Sequence, residues 1–179
     1  MALTYVTGGV RSGKSEYAEK LAIASNMSVL YVAFGVNTDA EMQSRIEKHQ
    51  QRRPQDWGVV EQPYELVGSC EQYLDYEVVL VDCFSTWLTN KIIQIPEAEL
   101  RNETYRLEIL NEVQAWLAKI QLMHQQIIVV SSEVGLGGVA MSPLGRLFHD
   151  LLGECNQMIA HAADEAYAVL SGLPVRLKL

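Results

Sequence analysis

The chain has 179 residues, 49% of them hydrophobic and 20% charged, with a net charge of −8 at pH 7 and a pI near 5.0. These figures suit one ordinary globular domain over residues 1–179 and argue against nucleic acid as a bulk partner. No apolar run reaches membrane-spanning length, the start "MALTYVTGG" lacks the basic region of a secretory leader, and Cys70, Cys83 and Cys155 have neither metal-ligand spacing nor an even count. The expectation is a cytoplasmic chain without a membrane span and with reduced thiols.

In chain order, the run "LTYVT" at 3–7, of apolar, β-branched and aromatic residues, predicts a strand, and an amphipathic stretch at 14–25 a helix. Strand 28–33, helix 39–52, helix 64–73, strand 77–82 and helix 84–93 follow. Pro96 opens a long helix over 97–123, with Leu100, Leu107, Leu110, Val113, Leu117 and Ile120 at helical spacing. After strand 126–131, Ser142 and Pro143 form a cap and first-turn pair for helix 143–163, whose stripe runs from Leu144 to Ile159. Strands 166–171 and 175–179 end the chain as a pair. Apolar strands alternating with longer amphipathic helices predict an α/β fold, a mainly parallel central sheet flanked by helices.

Between the first strand and helix lies "TGGVRSGKS", containing Gly8-x4-Gly13-Lys14-Ser15, the full phosphate-loop pattern. Glycines let backbone N–H groups converge on a phosphate, and the following helix adds its unpaired N–H groups and positive dipole end. Lys14 is then the residue to reach the β- and γ-phosphates, with Ser15 as a ligand of Mg²⁺. The run "EVVLVD" supplies a second carboxylate for that metal in Asp82, at the carboxyl end of a buried strand.

The stretch "RIEKHQQRRPQDW" holds a second cationic cluster. On a helix, Met42, Ile46 and His49 share one face, and Arg45, Arg52 and Arg53 lie at i−4, i+3 and i+4 from the histidine. Three cations favour a neutral imidazole and would hold a polyphosphate against it, as attack on phosphorus requires. A histidine at a helix end on a solvated basic face is the other reading of these residues. His124 and His161 read as surface or packing residues, and Glu133 with "GLGG" (135–138) as a loop at the site's edge.

Taken together, "VTGGVRSGKS", "RIEKHQQRRPQDW", "VVEQPYEL", "VLVDCFSTWLTN", "SSEVGLGGVAMSPLGRLFHDLLGECNQMIAHAADE" and "SGLPVRLK" resemble, from end to end, the bifunctional adenosylcobinamide kinase/adenosylcobinamide-phosphate guanylyltransferase family of cobalamin biosynthesis. The resemblance implies a RecA-like P-loop NTPase fold, a homotrimer, and two reactions. ATP or GTP phosphorylates the aminopropanol hydroxyl of adenosylcobinamide, and GMP from GTP then passes through a guanylylated histidine, here His49, onto that phosphate. It also implies nucleotide contacts at Gly8, Gly9, Val10, Arg11, Ser12, Gly13, Lys14, Ser15, Ala33, Phe34, Gly35, Gln50, Gln51, Arg52, Arg53, Glu61 and Asp82. Three positions depart from the family pattern: Phe34 lacks a hydroxyl, Ser132 stands for an asparagine, and His149 for an arginine. A P-loop kinase of another small alcohol, without guanylyltransferase activity, is the alternative. A nucleotide-sensing protein without catalysis is a third reading.

Overall fold

The structure, a computed structural model, describes residues 2–35 and 54–178. β1 (Ala2–Gly8) leads through the glycine loop into α1 (Lys14–Ala24), then β2 (Val29–Ala33) and β3 (Gly58–Glu61). A single α-turn, α2 (Leu66–Ser69), runs into a 3-10 helix at Cys70–Asp75, followed by β4 (Val78–Asp82) and α3 (Phe84–Ile92). Next come α4 (Glu103–Gln121), β5 (Gln126–Ser132), α5 (Pro143–Ala162), β6 (Glu165–Leu170) and β7 (Leu173–Lys178).

The strands form one sheet in the order β3-β2-β4-β5-β1-β6-β7. Every pairing is parallel except that of β6 with β7. All five residues of β4 are buried, as a strand covered on both faces demands. One face packs Leu3, Leu30, Val79, Val81, Ile127 and Val129 against Trp87, Trp116, Ile120, Leu151 and Leu152 of α3, α4 and α5. The other packs Val6, Val78, Leu80, Ile128 and Val130 against Ala18 and Ala22 of α1. Each such large side chain contributes about 1.5–3 kcal/mol by leaving water.

The α/β expectation is met, with differences in detail. β3 was not anticipated: it is a four-residue edge strand, too short for its two valines to stand out, that pairs in parallel with β2. The helix expected over 97–123 begins only at Glu103. Glu97–Glu99 is a separate 3-10 turn, and the Asn102 side chain accepts from Thr104 N at 3.0 Å to cap the true start. The buried side also differs: Ile109, Val113, Trp116 and Ile120 pack into the core, which leaves Leu107 52% exposed. The helix expected at 64–73 is divided between α2 and its 3-10 continuation, and β7 starts at Leu173 rather than 175. Pro174 is accommodated because β7 is an edge strand. Ser142 caps α5 as anticipated, accepting from Gly145 N at 3.0 Å. The helix expected over 39–52, with His49 on it, lies outside the described residues.

Candidate active site at the carboxyl edge of the sheet

β1 delivers Gly8 to the carboxyl edge of the sheet, where the chain turns through Gly9–Gly13 into α1. Ser12 N donates to Gly9 O at 3.3 Å, and Tyr17 N to Gly13 O at 2.9 Å as the helix starts. Gly13 has φ 94°, a left-handed conformation that glycine adopts without a Cβ penalty. At Gly8 a Cβ would come within 2.6 Å of the Val169 carbonyl. The loop is thus seated against β6. It is also braced by the β6–β7 turn, where Gly172 N donates to Ser12 O at 2.8 Å. Lys14 Nζ reaches back across the loop to Gly9 O at 3.1 Å. The Ser12 hydroxyl is buried without a partner among the described residues. A buried hydroxyl, a folded-back ammonium and a fresh helix N-terminus make a cradle whose chemistry suits phosphate oxygens.

Asp82 closes β4, 7% exposed, and receives two hydroxyls. Ser15 donates to Oδ1 and Tyr31 to Oδ2, both at 3.1 Å. Ser15 and Asp82, assigned from sequence to one metal, therefore do meet. A hydroxyl beside a carboxylate is an oxygen donor set that suits Mg²⁺, which usually takes few protein ligands and completes its shell with phosphate and water. Among the described residues no three His, Cys, Asp or Glu side chains converge as a metal cage.

A polar seam that the sequence reading missed continues from Asp82. The next residue, Cys83, places Sγ 2.8 Å from Ser85 Oγ, and Ser85 donates to Ser132 Oγ at 3.1 Å. Burial, then the neighbouring Asp82 charge, pushes the Cys83 thiol above its ordinary value, so it stays protonated at neutral pH. Asn156 of α5 accepts from Ser131 at 2.7 Å and donates to the Ser132 carbonyl at 3.0 Å. Asn156 had a readable signal: it lies four residues after Leu152, on the buried stripe, where a polar group needs partners.

Among the described residues, the predicted contacts Ala33 to Gly35 and Glu61 fall along the same edge. Ala33 pairs with Asp82 on one side and Glu61 on the other, so the three share one level of the sheet. Glu61 is exposed, and Gly35 half-buried. The Phe34 ring is wholly buried in the core, so this residue offers an incoming nucleotide only its main chain. Its carbonyl is already held by Asn90 Nδ2 at 2.7 Å, which also donates to Pro63 O at 3.0 Å. Trp87 Nε1 donates to Tyr64 O at 3.0 Å. Trp87 and Asn90 thus fasten the segments leaving β2 and β3. His149 is elsewhere, lining an open groove of about 840 Å³ between α4 and α5 with Arg106 and Arg146. His124 and His161 are exposed. Val10 and Arg11 are exposed at the loop's tip. His49, Gln50, Gln51, Arg52 and Arg53 lie outside the described residues.

A parallel sheet of this strand order, with a phosphate loop after β1 and an aspartate closing β4, defines a P-loop nucleotide-binding fold. A solved ATPase from the type III secretion system of pathogenic bacteria superposes with a TM-score of 0.52 at 9% identity, over 98% of this chain and 56% of that one. Residues 4–177 match the family model described as cobinamide kinase / cobinamide phosphate guanyltransferase. The chain is 38% identical over 179 residues to the bifunctional adenosylcobalamin biosynthesis protein CobU of Escherichia coli K12, covering 97% of this chain and 98% of the relative. It is 36% identical over 174 residues to the bifunctional adenosylcobalamin biosynthesis protein CobP of Pseudomonas aeruginosa PAO1, at 97% and 95% coverage. The chain belongs to the cobinamide kinase / cobinamide phosphate guanyltransferase family.

Proposed function

We propose that the chain phosphorylates the aminopropanol hydroxyl of adenosylcobinamide, using ATP or GTP, and then transfers GMP from GTP onto the new phosphate. The observation that carries this reading is the Gly8–Ser15 cradle beside the Ser15–Asp82 pair, in a chain matching the family from residue 4 to 177. Both reactions use one triphosphate seat. In the first, backbone N–H groups of the loop and Lys14 bind the phosphates, and Lys14 exchanges its bond to Gly9 O for phosphate oxygens. Positioning and charge neutralisation supply most of the catalysis, since the transferring phosphoryl group asks little covalent help. Ser15 and Asp82 would hold Mg²⁺, which when bound offsets the negative charge of the phosphates. Gln50, Gln51, Arg52, Arg53, Ala33 to Gly35 and Glu61 complete the nucleotide contacts in this reading.

In the second reaction His49 attacks the α-phosphorus of GTP and pyrophosphate leaves. The phosphorylated corrinoid then displaces the histidine from the phosphoramidate. Two displacements, each with a neutral or readily released partner, replace one between two polyanions. The working form in this reading is a cytoplasmic homotrimer with one P-loop domain per chain, as the family resemblance implies; the match over residues 4–177 supports the single domain.

The test is incubation with GTP labelled at the α-phosphate. Acid-labile, base-stable label mapping to His49, and abolished in His49→Ala, is the expected result. His49→Ala should keep most of its kinase activity with ATP, because γ-transfer to an external hydroxyl needs no protein nucleophile. Label on another residue, or undiminished label in the variant, refutes the transferase mechanism. A protein that phosphorylates an alcohol but never takes label is a kinase alone.

A further inference from the structure

The kinase step needs a group to receive the acceptor's hydroxyl proton, and the sequence names none. Resting on the kinase reading above, we propose that Glu133 is that general base. In the sheet, β5 lies between β1, which carries the phosphate loop, and β4, which carries Asp82. The residues leaving the carboxyl end of β5 therefore stand between the two groups that bracket a bound triphosphate and its metal. Gly8 pairs with Ser132, and Glu133 N donates to Gly8 O at 3.0 Å, extending the ladder by one residue. This bond ties Glu133 to the first glycine of the loop.

The Glu133 side chain is half-buried, and Oε1 accepts from Gly135 N at 2.8 Å, which fixes the carboxylate on its own loop. Oε2 has no partner among the described residues, and no ion pair there neutralises the group. Rival bases at this edge are otherwise engaged. Asp82 receives Ser15 and Tyr31. Glu61 stands on β3, two strands beyond β4. The Ser85 and Ser132 hydroxyls bond each other and are too weakly basic at neutral pH. Glu133 combines a carboxylate, an unengaged oxygen and a direct tie to the phosphate loop.

In the step assigned to it, the acceptor's hydroxyl oxygen forms a bond to the γ-phosphorus. The bond from that phosphorus to the β,γ-bridging oxygen breaks, and the nucleoside diphosphate leaves with the electron pair. The hydroxyl proton passes to Oε2 of Glu133 and then to water. A positioned base of this kind contributes about 10²–10⁴-fold. Transfer of GMP to His49 and onward uses no alcohol proton, so it does not require Glu133.

Glu133→Gln separates the roles, because an amide oxygen still accepts from Gly135 N while the basic group is gone. The expected result is a fall of about 10²-fold or more in kcat for phosphorylation of adenosylcobinamide. KM for nucleotide and corrinoid should stay within a few-fold, with wild-type melting temperature and normal labelling by α-labelled GTP. Glu133→Asp, which keeps a carboxylate, should recover part of the lost kcat. A Gln variant with wild-type kcat overturns the assignment. So does one whose KM rises at constant kcat, whose labelling falls in parallel, or whose melting temperature drops, because each makes Glu133 a loop-holding residue. If the wild-type protein phosphorylates no adenosylcobinamide at all, the proposed function fails, and this assignment with it.

Discussion

Replacing Gly8 by alanine tests whether the phosphate loop is seated as tightly as its geometry demands. The added Cβ would stand 2.6 Å from the Val169 carbonyl, whereas an ordinary contact begins near 3.4 Å. Val169 cannot retreat cheaply: it sits inside β6, paired with Gly8 across the ladder and with Pro174 behind it. The loop must therefore shift by roughly 0.8 Å, the difference between these distances, at an overpacking cost of about 1–3 kcal/mol. For a chain of this size, 2 kcal/mol corresponds to a melting temperature lower by roughly 4–8 °C. The functional loss should be larger, since a displacement of about 1 Å in a positioning element costs on the order of 10²-fold in rate. Thermal melts, nucleotide titration and separate assays of phosphorylation and guanylylation measure these effects. Both reactions should fall in parallel, because both use the same seat. Gly9→Ala is the stability control, for a Cβ there meets nothing within 4 Å. A Gly8→Ala protein that binds GTP and turns over like wild type would refute the reasoning outright.

Asp82→Asn keeps the volume and one acceptor for Tyr31 or Ser15, so melting should change little. Metal-dependent turnover should drop about 10²–10³-fold; activity unchanged across a magnesium titration would reduce Asp82 to a partner for hydroxyls. A second expectation concerns alkali. Burial pushes the Cys70 thiol from 9.0 up to about 11 and the Cys155 thiol up to about 12. Above pH 9 the unfolded chain releases protons that the folded chain retains, so stability is full below pH 9 and falls as pH rises towards 11. The slope is about 1.4 kcal/mol per pH unit for each thiol. Urea midpoints at pH 8 and pH 10 should show this loss, and Cys70→Ala with Cys155→Ala should remove much of it.

Features written into neighbouring residues were legible in the sequence. The glycine pattern between a strand and a helix located the phosphate loop, and the apolar run ending in Asp82 located its carboxylate partner. The Ser142–Pro143 start of α5 was equally local. What escaped was set by pairing through space. Gly58–Glu61 is a strand through its pairing with β2, and Leu107 turns outward because Ile109, Val113 and Trp116 take the side of α4 that packs into the core. The seam of Ser85, Ser132 and Asn156 joins three segments that no spacing rule connects. Phe34 stands where the family resemblance implies a nucleotide contact, yet its ring belongs to the core, a distinction that only packing reveals.

The turn between β6 and β7 gives the fold an order of completion. Gly172 and Ser12 lie about 160 residues apart in the chain, yet one hydrogen bond joins them at the phosphate loop. A loop of that span closes late, because the chain must surrender its freedom before the contact gives anything back. The glycine loop precedes β6 and β7 in the chain, so it gains this brace only once they have docked. Nucleotide binding is thereby coupled to the docking of β6 and β7. A nascent or misassembled chain holds the full phosphate-loop sequence but lacks the far-off support that keeps the loop in its working shape.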